Sequence, residues 1–209
     1  MKGIFLLATA IALTASANAQ FSASSGGGDL IPAVGSTGDN AGWDAANVDH
    51  DLTIAAAPGT ASVTVPVAVT CIDSVVLDGL THTWSGDTMA ILRDPNDVGY
   101  VIWIRPEIEV GETCCGNIGD FLAGGSFTFV QPGTSANGEL TATGDYAPGE
   151  WDQTLSSNSP TLPVVWPSPD ENIFNTPLNS ITGPAGVWTI SIYDFAGGDS
   201  GSFDDFTLN

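Results

Sequence analysis

Hydrophobic and polar residues alternate along much of the chain, which is the pattern of half-buried β-strands and not of helices. The clearest run has Val63, Val65, Val67 and Val69 alternating with Ser62, Thr64, Pro66, Ala68 and Thr70. A period of two places the four valines on one face of a strand. Pro66 has no backbone N–H to donate, so this strand is predicted to lie at a sheet edge or to contain a bulge.

Seven further segments have the length and composition of strands. They are Ser74–Leu80, Thr88–Leu92, Tyr100–Ile104, Ser126–Val130, Glu139–Thr143, Val187–Tyr193 and Phe203–Leu208. Turn-forming residues separate them, as in Asp94-Pro95-Asn96-Asp97, Gln131-Pro132-Gly133 and Gly197–Gly201. The sequence therefore predicts an all-β fold, a jelly-roll-like β-sandwich of about eight strands. The proline-rich stretch 147–179 alternates little and is predicted to be an extended surface loop.

The first nineteen residues are typical of a secretory signal peptide. Lys2 precedes the apolar stretch Ile4–Leu13, and Ala17-Asn18-Ala19 resembles a small-residue cleavage site. No later segment is apolar for the eighteen residues that a membrane helix needs, so a secreted protein without a membrane span is predicted. Residues 20–51, rich in Gly, Ser, Asp and Asn, are predicted to be a flexible N-terminal segment, and residues 52–209 the sandwich.

The charge of the chain excludes one class of partner. There are 24 acidic side chains against Lys2, Arg93 and Arg105, a formal net charge of −21, which becomes −22 without the predicted signal peptide. Nucleic acid binding needs cationic groups that displace condensed counterions, and two arginines cannot supply them. A hydrophobic content of 43% argues against disorder. Repulsion among the acids favours a cation-rich medium or bound divalent ions.

Two ordered motifs carry a family resemblance. The first is His82-Thr83-Trp84-Ser85-Gly86-Asp87 followed by the strand Met89–Leu92, and the second is Gly186-Val187-Trp188-Thr189, then Asp194, then Gly198-Asp199-Ser200-Gly201. Together they resemble the P domain (Homo B domain) that follows the catalytic domain of subtilisin-like proprotein convertases. The resemblance covers roughly residues 31–209. It implies a non-catalytic module, because P domains accompany a serine protease domain and this sequence contains no recognisable one.

The resemblance also implies calcium, since P domains often bind this ion. Oxygen ligands in loops suit Ca²⁺, and the candidates are Asp87, Asp94, Asn96, Asp97, Asp194 and Asp199. A structural role is the alternative for each group, because Asp94-Pro95 can begin a type I turn and Asp194 with Asp199 can cap a tight turn. Few groups suit catalysis. Asp49-His50-Asp51 and Gly133-Thr134-Ser135 are interpreted as a loop and a turn, and His82 as a hydrogen-bonded structural histidine.

Other residues leave alternatives open. The odd number of cysteines, Cys71, Cys114 and Cys115, allows a disulfide between Cys71 and one of the neighbouring pair, a vicinal bridge, or three free thiols. Trp151 and Trp166, in the proline-rich stretch, are candidates for stacking on a glycan. We expect an exported, calcium-stabilised module that acts through protein or cell-surface contacts. The alternatives are a subunit of an extracellular assembly, self-associating through an exchanged N-terminal strand, and a carbohydrate-binding or adhesive module.

Overall fold

A computed structural model describes residues 21–33, 57–104, 121–135, 144–147, 172–173, 177–194 and 197–209. Its strands are β1 (Ala23–Ser24), β2 (Asp29–Ile31), β3 (Gly59–Val65), β4 (Ser74–His82), β5 (Thr88–Arg93), β6 (Gly99–Ile104), β7 (Phe121–Ser135), β8 (Gly144–Ala147), β9 (Asn172–Ile173), β10 (Gly186–Asp194), β11 (Gly201–Phe203) and β12 (Asp205–Leu208). Single 3-10 turns span Ser85–Asp87 and Leu178–Ser180.

The strands form two sheets that pack face to face, so the predicted β-sandwich is confirmed. In the first sheet, β1 pairs with β12 and β2 pairs with β11. Both β11 and β12 pair with β4, β4 also pairs with β7, and β7 pairs with β8. The second sheet has the order β3-β10-β5-β6-β9. Most pairings are antiparallel, and the exceptions are β8 on β7 and β9 on β6. No helix among the described residues is long and apolar enough to cross a membrane.

Alternating side chains build the core between the sheets. In β3 the residues Ala61, Val63 and Val65 are buried, whereas Thr60, Ser62 and Thr64 are exposed. Trp188 on β10 is fully buried, as predicted, and so is Trp103 on β6. The ring of Trp103 stacks on Phe129 of the opposite sheet with centroids 5.2 Å apart. Burial of these aromatic and aliphatic side chains is the main stabilising contribution to the fold.

A bulge in β4 brings His82 to the interior. Val75 and Leu77 are buried, and strict alternation would next bury residues 79 and 81. Gly79 is instead an extra residue with φ of +64°, a conformation that disfavours other side chains. Leu80 and His82 are therefore the buried residues beyond it. Asp204 is the matching extra residue between β11 and β12, and its N–H donates to the carbonyl O of Asp78 at 2.8 Å.

The structure differs from the sequence expectations at several strand ends. β3 stops at Val65, so Val67 is exposed and Val69 forms only an isolated bridge to Gly183. Pro66, which cannot donate to a ladder, directly follows the end of β3, and β3 is an edge strand as predicted. The expected turn Gln131-Pro132-Gly133 lies within β7, next to an irregular register.

Other expectations concern the ends of the chain. The stretch 20–51 was expected to be flexible, yet β1 and β2 lie inside it, because their backbones pair with β12 and β11. The last strand is divided into β11 and β12 by Asp204. The predicted strand Glu139–Thr143 lies outside the described residues.

Candidate functional site

The six predicted calcium ligands divide between the two ends of β5. At the start of β5, Thr88 lies opposite Asp194 in the sheet register, and Asp87 directly precedes Thr88. Asp199 belongs to this same end, because it accepts a hydrogen bond of 2.9 Å from Thr83 Oγ1. Asp94, Asn96 and Asp97 follow the other end of the strand. The first and last of the six residues of β5 are five rises of about 3.3 Å apart, or about 17 Å, so the two groups cannot form one site.

The Asp94–Asp97 segment is a turn that uses its own carboxylate. Asp94 Oδ1 accepts hydrogen bonds from the backbone N–H of Asn96 at 2.8 Å and of Val98 at 2.9 Å. The N–H of Asp97 donates to the carbonyl O of Asp94 at 2.9 Å. Asp97 has a φ of +68° and lies 3.4 Å from the guanidinium of Arg93. The turn interpretation of this sequence therefore describes its geometry well, since the Asp94 side chain bonds within the turn.

The other end of β5 holds a cluster of buried polar side chains that we call the polar end of the core. Its members are His82, Ser85, Asp87, Thr88 and Asp194, and each is at most 1% exposed. His82 ends β4 of the first sheet, and Asp194 ends β10 of the second. The 3-10 turn Ser85–Asp87 connects β4 to β5 between them. The cluster thus joins the two sheets where the apolar core stops.

His82 and Asp194 face each other across the interior. His82 Nε2 lies 3.7 Å from Asp194 Oδ2, which is longer than a direct hydrogen bond. His82 Nδ1 lies 2.8 Å from the carbonyl O and 3.1 Å from the backbone N of Trp84. Nδ1 thus bonds to the backbone of Trp84, as donor to the carbonyl O or acceptor from the N–H according to the tautomer. Nε2 is the ring nitrogen that faces the carboxylate of Asp194.

Thr88 connects the polar end to the aromatic core. The indole N–H of Trp103 donates to Thr88 Oγ1 at 2.9 Å, and Thr88 Oγ1 donates to the carbonyl O of Ser85 at 2.7 Å. One hydroxyl therefore acts as acceptor and donor in a buried place, where an unpaired polar group would be costly. The arrangement fixes the Ser85–Asp87 turn against the ring of Trp103.

The residue types at the polar end resemble a hydrolase, but their burial does not suit catalysis. Ser85, His82 and Asp194 are 0%, 1% and 0% exposed, so a substrate cannot reach them in this conformation. A nucleophile must open into a cleft where the reacting atom can lie about 3 Å away. The chemistry that this geometry supports is a buried clamp between the sheets. Sequence reasoning treated His82 as structural and Asp194 as a ligand candidate, and it did not pair them.

The described carboxylates do not assemble a metal centre. No group of three or more His, Cys, Asp or Glu side chains that could hold a metal ion is found within the described ranges. Calcium takes six to eight oxygen ligands, which include backbone carbonyls and waters as well as carboxylates. Calcium binding therefore stays a prediction.

Three described side chains have shifted pKa values. Burial raises the pKa of Tyr193 above its usual value, although attraction to Arg93 and hydrogen bonds from Arg93 and Ser191 oppose the effect. Burial and then the charge of Asp94 raise the pKa of Tyr100. For Asp205, burial acts upward, but hydrogen bonds from Ser24, Ser25 and nearby backbone N–H groups outweigh it and lower the pKa.

Asp205 anchors the N-terminal strand segments. Its Oδ2 and Oδ1 accept from Ser24 Oγ and Ser25 Oγ, each at 2.6 Å. Ser25 Oγ in turn accepts from the backbone N–H of Phe206 at 3.0 Å. The Gly/Ser stretch is thus tied to the C-terminal strand by side-chain hydrogen bonds that composition alone does not reveal.

The remaining candidates lie mostly beyond the described part of the chain. Cys71 is partly exposed and forms no disulfide with another described residue. Cys114 and Cys115 are outside the described residues, so the pairing of the three cysteines stays a prediction. Trp151 and Trp166 are also outside them. Comparison of the chain with models of protein families, with curated proteins and with solved structures found no match.

Proposed function

We propose that this chain is an exported, non-catalytic β-sandwich that acts through contact with a protein or cell-surface partner. The observation that carries the proposal is the closed polar end of the core. At this end, the described side chains of Ser85, His82 and Asp194 are of the types found in a catalytic triad. They are buried, and His82 and Asp194 face each other between the two sheets. The resemblance of the two motifs to a P domain supports the same role, since such domains work beside a protease and not as one.

The proposal is tested by binding, with turnover as the counter-test. Labelled mature chain, residues 20–209, is added to cells of the source organism and displaced with unlabelled chain. We expect saturable binding that is lost after the cells are treated with protease, and no hydrolysis of casein. Loss of binding after periodate treatment alone would favour the carbohydrate-binding alternative. Turnover abolished by Ser85→Ala in a chain with unchanged stability would overturn the non-catalytic role.

One structural observation opposes the assembly alternative. That alternative uses the N-terminal stretch as a strand exchanged between copies, but β1 and β2 pair with β12 and β11 of the same chain. Exchange would first require the hydrogen bonds of Ser24 and Ser25 to Asp205 to break. Sedimentation at increasing concentration tests this alternative directly.

Calcium stabilisation remains a proposal that rests on the resemblance and on the charge of the chain. A ligand that binds only the folded form adds about 2.7 kcal/mol at a hundredfold excess over its Kd. We therefore expect millimolar CaCl₂ to raise the melting temperature beyond NaCl or MgCl₂ at matched ionic strength. Asp199→Asn should reduce the increment if the ion binds at the polar end. Coincident melting curves in all three salts would mean that charge is screened and not chelated.

A further inference from the structure

Among the described strands, β3 is an outer strand of the second sheet. One hydrogen bond shows which of its backbone groups point away from the sheet. Along an antiparallel pair, alternate residues direct their N–H and C=O groups to the partner strand and away from it. The N–H of Thr60 donates to Asp29 Oδ2 at 3.0 Å, and Asp29 is on β2, not on the partner strand β10. Thr60 therefore points away from β10, and by alternation so do Ser62 and Thr64.

The covered part of this edge ends after Thr60. Gly59 lies against the carbonyl O of Leu30, and Ala33 N–H donates to the carbonyl O of Ala57 at 2.9 Å, so β2 protects the beginning of β3. Ser62 and Thr64 are exposed, and their outward backbone groups make no hydrogen bond to any described residue. The hydroxyl of Ser62 lies 2.7 Å from that of Thr189, which suits a pair whose backbone groups point away from each other.

Exposed hydrophobic residues surround the same edge. Three large hydrophobic side chains are exposed in the described part of the chain: Leu30 (48%), Val67 (41%) and Val187 (52%). Leu30 lies beside the start of β3, Val67 follows its end, and Val187 is opposite Thr64 in the register with β10. Unpaired edge strands are templates for pairing with another chain, and grouped exposed apolar residues mark interaction sites.

We propose that the outer edge of β3, at Ser62 and Thr64, accepts an extended basic peptide segment of a protein partner as an added strand of the second sheet. Main-chain hydrogen bonds to Ser62 and Thr64 would supply the pairing, and apolar side chains at alternate positions of the peptide would contact Val67 and Val187. The net charge of −21 selects lysine- or arginine-bearing segments and opposes the pairing of two copies. The inference deepens the proposed function and rests on it for biological meaning.

The probe is a short acetylated peptide with a lysine at each end and alternating valine and threonine between them. It is titrated into the mature chain, residues 20–209, while backbone amides are followed by NMR. We expect saturable shifts at the amides of Ser62 and Thr64. Ser62→Pro should weaken binding about tenfold, because it removes an outward N–H but no bond to β10. Ser62→Ala is the matched control, since it keeps the N–H and should bind like the parent chain.

Two further probes keep the inference falsifiable if Ser62→Pro fails to fold. A peptide N-methylated at alternate residues should lose binding to the unmodified chain, and a peptide with glutamate at both ends should bind more weakly than the lysine version. Equal binding of the N-methylated peptide, or shifts that avoid Ser62 and Thr64, would overturn the inference. Self-association abolished by Thr64→Pro would also overturn it, because the occupant would then be a second copy.

The cell-binding assay separates this inference from the proposed function. If the parent chain and the Ser62→Pro variant both bind cells but the lysine peptide binds neither of these two proteins, the edge inference fails and the proposed function stands. If the parent chain and the variant both fail to bind cells, the proposed function fails whatever the peptide does.

Discussion

The polar end of the core and the outer edge of β3 differ in whether their polar groups are exposed to water. At the polar end, His82, Thr88 and Asp194 are removed from water and arranged against each other between the sheets. At the edge, Ser62 and Thr64 leave backbone N–H and C=O groups facing solvent. A buried polar group is costly unless it finds a partner inside, whereas an exposed one costs little and can accept a partner later. The contrast separates residues that hold the fold from residues available for contact.

Asp194→Ala should give the largest effect in this comparison. Removing the carboxylate leaves the buried Nε2 of His82 facing a void, and loss of one partner of a buried pair costs about 3 kcal/mol. Urea denaturation measures the change in the free energy of unfolding. Asp199→Ala, at the same end but bonded to the exposed Thr83, is the control and should cost less than about 1 kcal/mol. Equal losses in the two variants would show that the buried pair has no special role.

Thr88→Val should be the next most destabilising change, by about 1–3 kcal/mol. It keeps the shape of the side chain but leaves the buried indole N–H of Trp103 without its acceptor. Thr88→Ser retains the hydroxyl and should recover most of the stability. Near-ultraviolet circular dichroism follows the environment of the indole in both variants. A Thr88→Val chain as stable as the parent would mean that Trp103 finds another acceptor.

A pH series tests the anchoring of the N-terminal strand through Asp205. Hydrogen bonds from Ser24 and Ser25 lower its pKa in the folded state below the unfolded value. The stabilisation is therefore present above about pH 4 and is lost as the pH falls through the folded pKa. Asp205→Asn should flatten the decline of unfolding free energy in acid. If Asp205→Asn and the parent chain decline in parallel between about pH 5 and pH 2, this carboxylate does not contribute to the acid sensitivity.

The smallest effect is expected at the open edge. Ser62→Ala should change the free energy of unfolding by less than about 0.5 kcal/mol, because the hydroxyl pair with Thr189 is exposed to competing water. Thermal unfolding beside Asp194→Ala gives the direct comparison. A loss similar to that of Asp194→Ala would assign the edge to the fold and remove the reason to regard it as a contact surface.

The sequence predicted β3 from its alternation of apolar and polar residues, a pattern that neighbouring residues determine and that its burial follows. It also located β5 and β10, most of whose residues are buried, and placed Trp188 in the core. It did not predict β1 and β2, which are only two and three residues long and are held by backbone pairing and, for β1, by Asp205. It also placed a turn at Pro132, where β7 continues through an irregular register.

The candidate site was predicted less completely, since its contacts join distant parts of the chain. His82 is predicted to be a hydrogen-bonded histidine near the start of a strand; its ring does bond to Trp84, but the residue ends β4. The distance between His82 and Asp194 depends on how β4 and β10 pack across the core. A pattern among neighbouring residues cannot predict that packing. The Asp94 turn, by contrast, was open to prediction because its hydrogen bonds lie within a few residues.

The paired extra residues Gly79 and Asp204 have a consequence for how the chain tolerates changes in length. Because each is an insertion in its own strand, deletion of both would leave Leu77 and Leu80 still facing inward and His82 still opposite Gly201. A shortened chain that lacks both residues should therefore fold, whereas Gly79→Val should not be tolerated, since its Cβ would meet the Asp204 carboxylate at a positive φ. The chain can thus be shortened at this point by removing one residue from each of the two paired strands, and the buried residues keep their places.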